Sequence, residues 1–290
     1  MRDAIRSILD QQDDRVEVIA VDDASNDGTR ACLSEFGDSI RLVLHDERKG
    51  AGVARNAGAA VAIGDYLMFL DGDDAFVPWA VDVYATIVEA RQPIVIIGPM
   101  RWFEGRPPDP GPPPSNIRFF EFADYFSKDR SVGVSASALV VDRRSFEQVH
   151  GWDQRFLAED VDLLWRLGVV GSVIQITEPV TTFHRSHAGQ SIRQTEGMLE
   201  AISRLAEKER TGRYPGGTSR RLERRAAIGG VVFHWTRLAL RKRSFRQAMR
   251  FVVANRTFVR AAIVVRLRHR FRPDRPLHTI ALTTRAPNTA

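Results

Sequence analysis

Residues 66–74 read YLMFLDGDD, a run of five apolar residues followed by three carboxylates and a glycine. An apolar run of this length is typical of a short strand that is buried on both faces. A second segment, VEVIAVDD at residues 16–23, also leads from β-branched residues into two aspartates. Helical patterns separate these strands from further short strands along the chain. Strands that alternate with helices predict an α/β fold with a parallel sheet covered on both faces.

Acidic clusters follow both of these strands. In an open α/β sheet, ligands bind at the carboxyl ends of the strands, so we expect the clusters to lie where a ligand binds. The three carboxylates in residues 71–74 repel one another unless a positive charge lies among them, and carboxylate oxygens suit Mg²⁺ or Mn²⁺. The alternative interpretation is a solvated acidic turn, because aspartate and glycine are common in turns.

Five segments of the sequence, in this order along the chain, resemble the signatures of glycosyltransferase family 2. They are VDDASNDGT (residues 21–29), GAGVARNAG (50–58), FLDGDD (69–74), GWD with AEDVDL (151–153 and 158–163) and HRSH (184–187). Each segment alone is a weak signal, but five in the right order make the match specific. The resemblance implies a three-layer α/β fold of the GT-A type, the nucleotide-diphospho-sugar transferase domain, over residues 1–196.

The resemblance also implies a donor site for a nucleotide-sugar, which we expect to be a uridine diphosphate sugar. The implied donor contacts are Asp22, Asp23, Ser25, Arg55, Asn56, Asp71 and Arg185, and the implied ligands of Mn²⁺ or Mg²⁺ are Asp73, Asp74 and His187. Asp23 is expected to accept a hydrogen bond from the nucleotide base. Ser25 or Asn26 is also expected to cap the helix that follows. As alternatives, Arg55 could be an ordinary exposed cation and His187 an ordinary surface histidine.

On the acceptor side, the resemblance implies that Asp160 is the general base and that Glu159 orients the acceptor or tunes Asp160 through like-charge proximity. Attack by the acceptor oxygen opposite the leaving group would invert the anomeric configuration. The acceptor is expected to be a glycan or lipid-linked hydroxyl, as in cell-wall or polysaccharide biosynthesis, and Trp152 is expected to contact it. As an alternative, Asp160 could cap the helix that follows it, where an acidic residue is favourable.

The chain begins inside a predicted helix, RDAIRSIL at residues 2–9, where members of the family usually have a preceding apolar strand. In the family that strand lies in the middle of the sheet, and its end touches the nucleotide base. Two interpretations are open: the true start lies upstream, or the protein is a shortened, inactive relative that binds nucleotide-sugars or serves as a scaffold. A nucleotidyltransferase is a weaker alternative, because the glycine-rich phosphate loop that it ordinarily needs is not visible early in the sequence.

Charge is divided unevenly along the chain. Residues 1–200 hold 20 basic and 32 acidic residues, whereas residues 201–290 hold 22 basic and 4 acidic ones. The pattern predicts a basic helical extension over residues 197–272 and a disordered tail over residues 273–290.

The basic extension suggests a partner with negative charge. Its arginines alternate with apolar side chains such as Phe233, Phe251 and Phe258, a composition that fits helices lying on an anionic membrane surface. A packed appendage with a solvated basic face is the alternative. Nucleic-acid binding is disfavoured, because no nucleic-acid-binding motif accompanies the charge.

The composition favours a globular protein in a reducing compartment. Hydrophobic residues make up 43% of the chain, and its single cysteine, Cys32, excludes a disulfide within the chain. We recognise no secretory signal after Met1, and no segment reaches the roughly 18 uninterrupted apolar residues of a membrane-spanning helix. The sequence therefore predicts a cytoplasmic protein, with peripheral attachment to the cytoplasmic face of a membrane as a further expectation.

Overall fold

The computed structural model describes residues 1–127, 134–153, 158–187, 195–241, 243–269 and 275–284. Its helices are α1 (Arg2–Leu9), α2 (Thr29–Ser34), α3 (Ala51–Val61), α4 (Ala80–Arg91), α5 (Arg143–Gln148), α6 (Glu159–Arg166), α7 (Thr195–Arg210), α8 (Arg221–Arg241), α9 (Phe245–Ala254) and α10 (Arg256–His269). Its strands are β1 (Ile19–Asp22), β2 (Arg41–Leu44), β3 (Tyr66–Met68), β4 (Ala75–Phe76), β5 (Val95–Ile97), β6 (Met100–Phe103), β7 (Asn116–Phe122), β8 (Leu139–Asp142), β9 (Val173–Glu178), β10 (Thr182–Arg185) and β11 (His278–Ala281). The alternation of strands and helices confirms the predicted α/β class.

The main sheet is mixed rather than parallel. Its strand order is β11-β7-β9-β5-β8-β3, and β5 and β9 run parallel while β8 is antiparallel to both β3 and β5. Strands β1 and β2 form a separate parallel pair, and β4, β10 and β6 form a third sheet. The expectation of a parallel sheet is therefore wrong in part. An apolar run indicates that both faces of a strand are buried. The central strands of this sheet are buried on both faces whether they run parallel or antiparallel, so the run does not predict strand direction.

Both faces of the main sheet are covered, which gives the predicted three layers. On strand β5, Ile96 belongs to a core cluster with helix α4, whereas its neighbours Val95 and Ile97 belong to the cluster that contains α6, α7 and α8. On strand β8, Val140 and Val141 divide between the same two clusters. Since successive side chains of a strand point to opposite faces, this alternation places helices on both sides of the sheet.

Helices α7 to α10 share the main core of the protein. Ile202 and Leu205 of α7 and Ile228 of α8 are fully buried in the cluster that contains α6. Phe251 of α9 and Phe258 of α10 are buried in the same cluster, so the expectation that these two rings contact a membrane is wrong. An amphipathic helix buries one side against its neighbours, and each of the two rings lies on the buried side of its own helix.

The C-terminal tail is not disordered throughout. Residues His278–Ala281 form β11, which pairs antiparallel with β7, and Ile280 and Leu282 pack against the core. The prediction of disorder is wrong for these residues, because the edge of β7 supplies backbone partners that local composition does not reveal. Residues 273–274 and 285–290 of the predicted tail lie outside the described residues.

Helix α2 begins later than expected. Its N-cap residue is Gly28, in the left-handed conformation with φ 83°, and no side chain caps it. Ser25 and Asn26 lie before this position, so the prediction that either of them caps the helix is wrong. Asp27 accepts hydrogen bonds from the Thr29 N–H at 3.2 Å and from the Thr29 hydroxyl at 2.7 Å. Residues 23–28 therefore form a polar loop between β1 and α2.

Candidate active site

Three carboxylates converge in the turn after β3. One oxygen atom from each of Asp71, Asp73 and Asp74 lies within 4.8 Å of the others. The Asp74 N–H donates to the Asp71 carbonyl at 3.0 Å, and the Asp71 N–H donates to the Ser137 hydroxyl at 3.0 Å. These bonds hold the turn in place. A cluster of hard oxygen donors at this spacing fits Mg²⁺ or Mn²⁺, so the three acidic residues of the predicted motif do lie together.

The end of strand β10 closes over this acidic turn. The buried Asp74 carboxylate lies 2.7 Å from Nδ1 of His184 and accepts a hydrogen bond from the Arg185 N–H at 2.9 Å. Nε of Arg185 donates to the Asp73 carbonyl at 2.9 Å, and Nε2 of His187 lies 2.9 Å from the Asp73 carboxylate. Asp73 keeps a partly exposed carboxylate, whereas both oxygens of Asp74 already have partners. Asp74 therefore anchors β10, and its role as a metal ligand stays a prediction, as does that of His187.

Arg55 connects the acidic turn with the predicted catalytic pair. One guanidinium nitrogen lies 2.6 Å from the Asp71 carboxylate, another lies 3.0 Å from the Glu159 carboxylate, and the group stacks 5.0 Å from the Trp152 ring. Burial acts to lower the pKa of Arg55, but the two carboxylates outweigh it and raise the pKa. The interpretation of Arg55 as an ordinary exposed cation is therefore wrong. Its charge fixes the position of the acidic turn relative to helix α6.

Asn56 and Trp152 form a reciprocal hydrogen-bonded pair. The Asn56 amide donates to the Trp152 carbonyl at 2.9 Å and accepts from the Trp152 N–H at 2.8 Å. The Trp152 side chain is buried, with the residue only 2% exposed, and its ring meets the ring of Phe69 edge-on at 5.0 Å. The ring of Trp152 therefore supports Arg55 from within the core, and its contact with an acceptor stays a prediction. The contact of Asn56 with a donor stays a prediction.

Gly151 is the tightest position in this segment. Its backbone is left-handed, with φ 63°, and a Cβ atom would lie 2.4 Å from the Asn56 amide oxygen and 3.0 Å from the Phe146 ring. We expect Gly151→Ala to lower the free energy of unfolding by about 2–4 kcal/mol, because backbone strain and overpacking both contribute. Chemical denaturation measures the loss. Gly111→Ala is the matched control, since Gly111 has φ 80° and no atom within 4 Å of its Cβ position; equal losses in both variants would contradict the steric argument.

Glu159 and Asp160 begin helix α6. Its N-cap residue is Ala158, so Asp160 does not occupy the cap position, although its carboxylate accepts a hydrogen bond from the Val161 N–H at 2.7 Å. Burial and the adjacent Glu159 carboxylate raise the pKa of Asp160 to about 7. A carboxylate that titrates near neutral pH is suited to take a proton as a general base. The roles of Asp160 as general base and of Glu159 beside it stay predictions.

At the end of β1, Asp23 holds the loop that leads into α3. Its carboxylate lies 2.8 Å from Nδ1 of His45 and accepts hydrogen bonds from the N–H groups of Lys49 at 2.9 Å and Gly50 at 2.7 Å. Burial acts to raise the pKa of Asp23, but these hydrogen bonds outweigh it and lower the pKa. A carboxylate can accept about four hydrogen bonds, so the predicted bond from a nucleotide base is compatible with these three.

Asp22 is directed into the protein. Its buried carboxylate accepts hydrogen bonds from Nε of Arg30 at 2.6 Å and from the Ser25 N–H at 3.3 Å. Burial acts to raise the pKa of Asp22, but the hydrogen bonds from Ser25 and Arg30 outweigh it and lower the pKa. The Asp22 carboxylate therefore organises the turn, and its contact with a donor stays a prediction. The contact of Ser25 with a donor stays a prediction.

A comparison with protein families identifies the family of this chain. The profile of glycosyl transferase family 2 matches residues 1–149, just over half of the chain. The chain belongs to glycosyl transferase family 2. The matched region contains the acidic turn, Arg55 and Asp23. The segment with Trp152 and the Glu159–Asp160 pair follows it.

Two relatives and one solved structure show how far the likeness extends. The succinoglycan biosynthesis protein ExoO of Rhizobium meliloti is 43% identical over 76 residues, which cover 26% of this chain and 22% of that protein. The UDP-Glc:alpha-D-GlcNAc-diphosphoundecaprenol beta-1,3-glucosyltransferase WfgD of Escherichia coli is 40% identical over 75 residues, 26% of this chain and 30% of that protein. The alignments therefore span less than a third of either relative. The crystal structure of S. aureus TarS 1-349 in complex with UDP-GlcNAc matches with a TM-score of 0.55 at 15% identity, covering 93% of this chain and 89% of that chain, which shows a shared GT-A type fold.

Several side chains that organise the candidate site lie outside the sequence motifs or were given no role in them. They are Arg30, His45, Ser137, His184, Lys208 and Tyr214. Lys208 donates hydrogen bonds at 2.6 Å to Asp153 of the Gly-Trp-Asp motif and to Asp162 of α6. No local pattern identifies such partners, because all of them except Arg30 come from distant parts of the chain. The sequence gives only a general indication that such partners exist, because a buried carboxylate requires a hydrogen-bond donor.

Proposed function

We propose that this protein is an inverting glycosyltransferase that moves a sugar from a uridine diphosphate sugar to a hydroxyl group of a glycan or lipid-linked acceptor. The observation that carries the proposal is the position of Arg55, which joins Asp71 in the acidic turn to Glu159 beside Asp160. The Arg55 guanidinium therefore lies between Asp71, on the proposed donor side, and Glu159, on the proposed acceptor side.

The donor side supplies negative oxygen ligands and a base contact. Asp71 and Asp73 would hold Mg²⁺ or Mn²⁺, whose charge stabilises the leaving diphosphate as a Lewis acid. Asp23, with acceptor capacity remaining, would receive a hydrogen bond from the nucleotide base. Arg185, bonded to the Asp73 carbonyl, would add positive charge near the diphosphate. The name of the relative WfgD, which specifies UDP-Glc, supports a uridine diphosphate donor.

The acceptor side supplies the base. The Asp160 carboxylate would take the proton of the acceptor hydroxyl as its oxygen forms a bond to the anomeric carbon. The bond from that carbon to the diphosphate oxygen breaks at the same time, and the electron pair leaves with the nucleoside diphosphate. A single displacement of this kind inverts the anomeric configuration. Glu159, held by Arg55, would orient the acceptor, and the diphosphoundecaprenol in the name of WfgD supports a lipid-linked one.

Calorimetry with Mn²⁺ and uridine diphosphate tests the donor site. We expect the two to bind cooperatively, and Asp73→Asn to weaken nucleotide binding in Mn²⁺ by about tenfold or more, because a charged ligand of the cation is lost. Asp38→Asn is the control, since Asp38 is exposed and lies outside the acidic turn. Equal affinity in the presence of a chelator would contradict the metal role. Nucleotide-sugar binding without hydrolysis or transfer to any acceptor would favour an inactive binding protein instead.

A further inference from the structure

One side of helix α9 exposes large apolar side chains to solvent. Phe245 and Met249 are each 67% exposed, and Val253 is 58% exposed. Their spacing of four residues places all three in one line along the helix, here called the α9 stripe. Ala248 and Phe251 are buried on the other side of the helix, where α9 packs against α8. The α9 stripe is therefore not the face that joins the core.

The α9 stripe differs from the scattered apolar side chains that any protein surface carries. Single exposed apolar residues are ordinary, whereas an aligned group of them marks a surface that binds a partner. Contact of three large apolar side chains with water is unfavourable, and in the part of the chain that the structure describes no element covers them. We therefore expect the α9 stripe to bind an apolar partner.

Positive charge borders the α9 stripe. Arg246 and Arg250 each follow a stripe residue directly in sequence, so both lie along one side of the stripe, and both are exposed. The sequence contains no acidic residue between Glu223 and Asp274. Because no neighbouring carboxylate in this part of the sequence neutralises the arginines, the surface fits a partner that is anionic as well as apolar.

Helix α10 exposes a second face of the same composition. Arg260, Ile263 and Leu267 are exposed and are spaced three and four residues apart, so they lie on one side of the helix. Phe258 and Ala262 are buried on the opposite side. Two amphipathic helices in succession therefore present apolar side chains among arginines, which is the composition of helices that bind membrane surfaces.

We propose that the α9 stripe docks on the surface of an anionic phospholipid membrane. Its three apolar side chains enter the boundary between head groups and acyl chains, and Arg246 and Arg250 contact lipid phosphates. Among the helices in the described ranges, none has the length and hydrophobicity that crossing a bilayer requires. The attachment is therefore to the surface of the membrane. This inference goes beyond the transfer reaction and does not depend on it.

Two other occupants of the stripe fit the observations less well. In a symmetric contact with the two α9 helices antiparallel, Arg246 and Arg250 would lie close to the same arginines of the other copy, and like charges repel. A nucleic acid would neutralise the arginines but leave the apolar stripe without an apolar partner. A membrane surface matches both the charge and the apolar side chains.

Binding of the full chain to lipid vesicles tests this proposal. We expect it to sediment with vesicles of mixed phosphatidylglycerol and phosphatidylcholine, and much less with phosphatidylcholine alone. High salt should weaken this binding in part, because salt screens charge and leaves apolar contacts intact. The variant Phe245→Ser/Met249→Ser/Val253→Ser should lower the partition coefficient by at least about tenfold. Ile63→Ser is the matched control, because Ile63 is 72% exposed between α3 and β3, and it should bind like the wild type.

The charge contribution has its own variant. Arg246→Gln/Arg250→Gln should weaken binding to the mixed vesicles and leave the weak binding to phosphatidylcholine unchanged. A triple stripe variant that keeps the wild-type melting temperature and binds vesicles like the wild type would overturn the proposal, as would equal binding of the wild type to both kinds of vesicle or to neither. Loss of self-association in the triple variant would identify a contact between copies instead. Hydrolysis of the donor in solution needs no membrane, so its failure would count against the transfer reaction alone.

Discussion

Asp160→Asn is expected to lower kcat for sugar transfer by about 10²- to 10⁴-fold, the loss typical of a missing general base. The amide has the size and shape of the carboxylate but cannot take a proton from an acceptor hydroxyl. Affinity for uridine diphosphate should change little, because Asp160 lies on α6 while Asp71 and Asp73 lie in the turn after β3. Transfer rates and calorimetry on one preparation measure the two effects separately, with Asp38→Asn as the control.

The pH dependence of the rate reports on the same carboxylate. Burial and Glu159 raise the pKa of Asp160 to about 7, so kcat/KM should fall about tenfold per pH unit below that value, as the base becomes protonated. Since Glu159 raises this pKa and Arg55 lowers it, Glu159→Gln should move the acid limb to lower pH and Arg55→Gln should move it to higher pH. Near-full turnover by Asp160→Asn would assign the base to another group.

The raised pKa also affects stability. As the pH rises from about 4 to about 7, the Asp160 carboxyl group ionises in the unfolded chain but stays protonated in the folded protein, so the free energy of unfolding falls.

The position of the acidic turn could be predicted because it depends on local sequence. The apolar run of β3 sets where the strand ends, so the acidic turn that contains Asp71 and Asp73 follows from a pattern of a few residues. The direction of Asp22 could not be predicted in the same way. Asp22 and Asp23 are neighbours with the same side chain, and Arg30 and His45 determine that one faces the core while the other holds a loop.

The surroundings of Trp152 were harder to predict for a related reason. Trp152 follows a glycine in a recognisable motif, but its ring is buried by Phe69 and Phe146, which come from β3's end and from α5. Contacts of this range leave no periodic signal in a single sequence. The same applies to β8, because its apolar residues carry no information on its antiparallel direction. Helices α7 to α10 were predicted as helices, but their place in the main core was left open.

A buried cluster of charges connects α6 to these C-terminal helices. The fully buried Asp162 carboxylate accepts hydrogen bonds from Nε of Arg166 at 2.7 Å, Nζ of Lys208 at 2.6 Å and the Tyr214 hydroxyl at 2.7 Å. Burial and this carboxylate raise the pKa of Tyr214, so the phenol keeps its proton and remains a donor. Helix α6 carries Asp160, and the cluster therefore also fixes the helix that bears the proposed base.

Asp162→Ala is expected to lower the free energy of unfolding by about 3–5 kcal/mol, because it leaves the Arg166 guanidinium without its carboxylate partner and removes one carboxylate partner of Lys208, which keeps Asp153. Asp38→Ala is the control and should stay within about 0.5 kcal/mol of the wild type, as is usual for an exposed position. The loss is measured by chemical denaturation. Truncation after residue 196 should be more severe still, since it removes Lys208 together with the fully buried Ile202 and Leu205 of α7. A truncated chain that unfolds cooperatively with wild-type stability would contradict the shared core, and would show that residues 1–196 fold without the helices packed against α6.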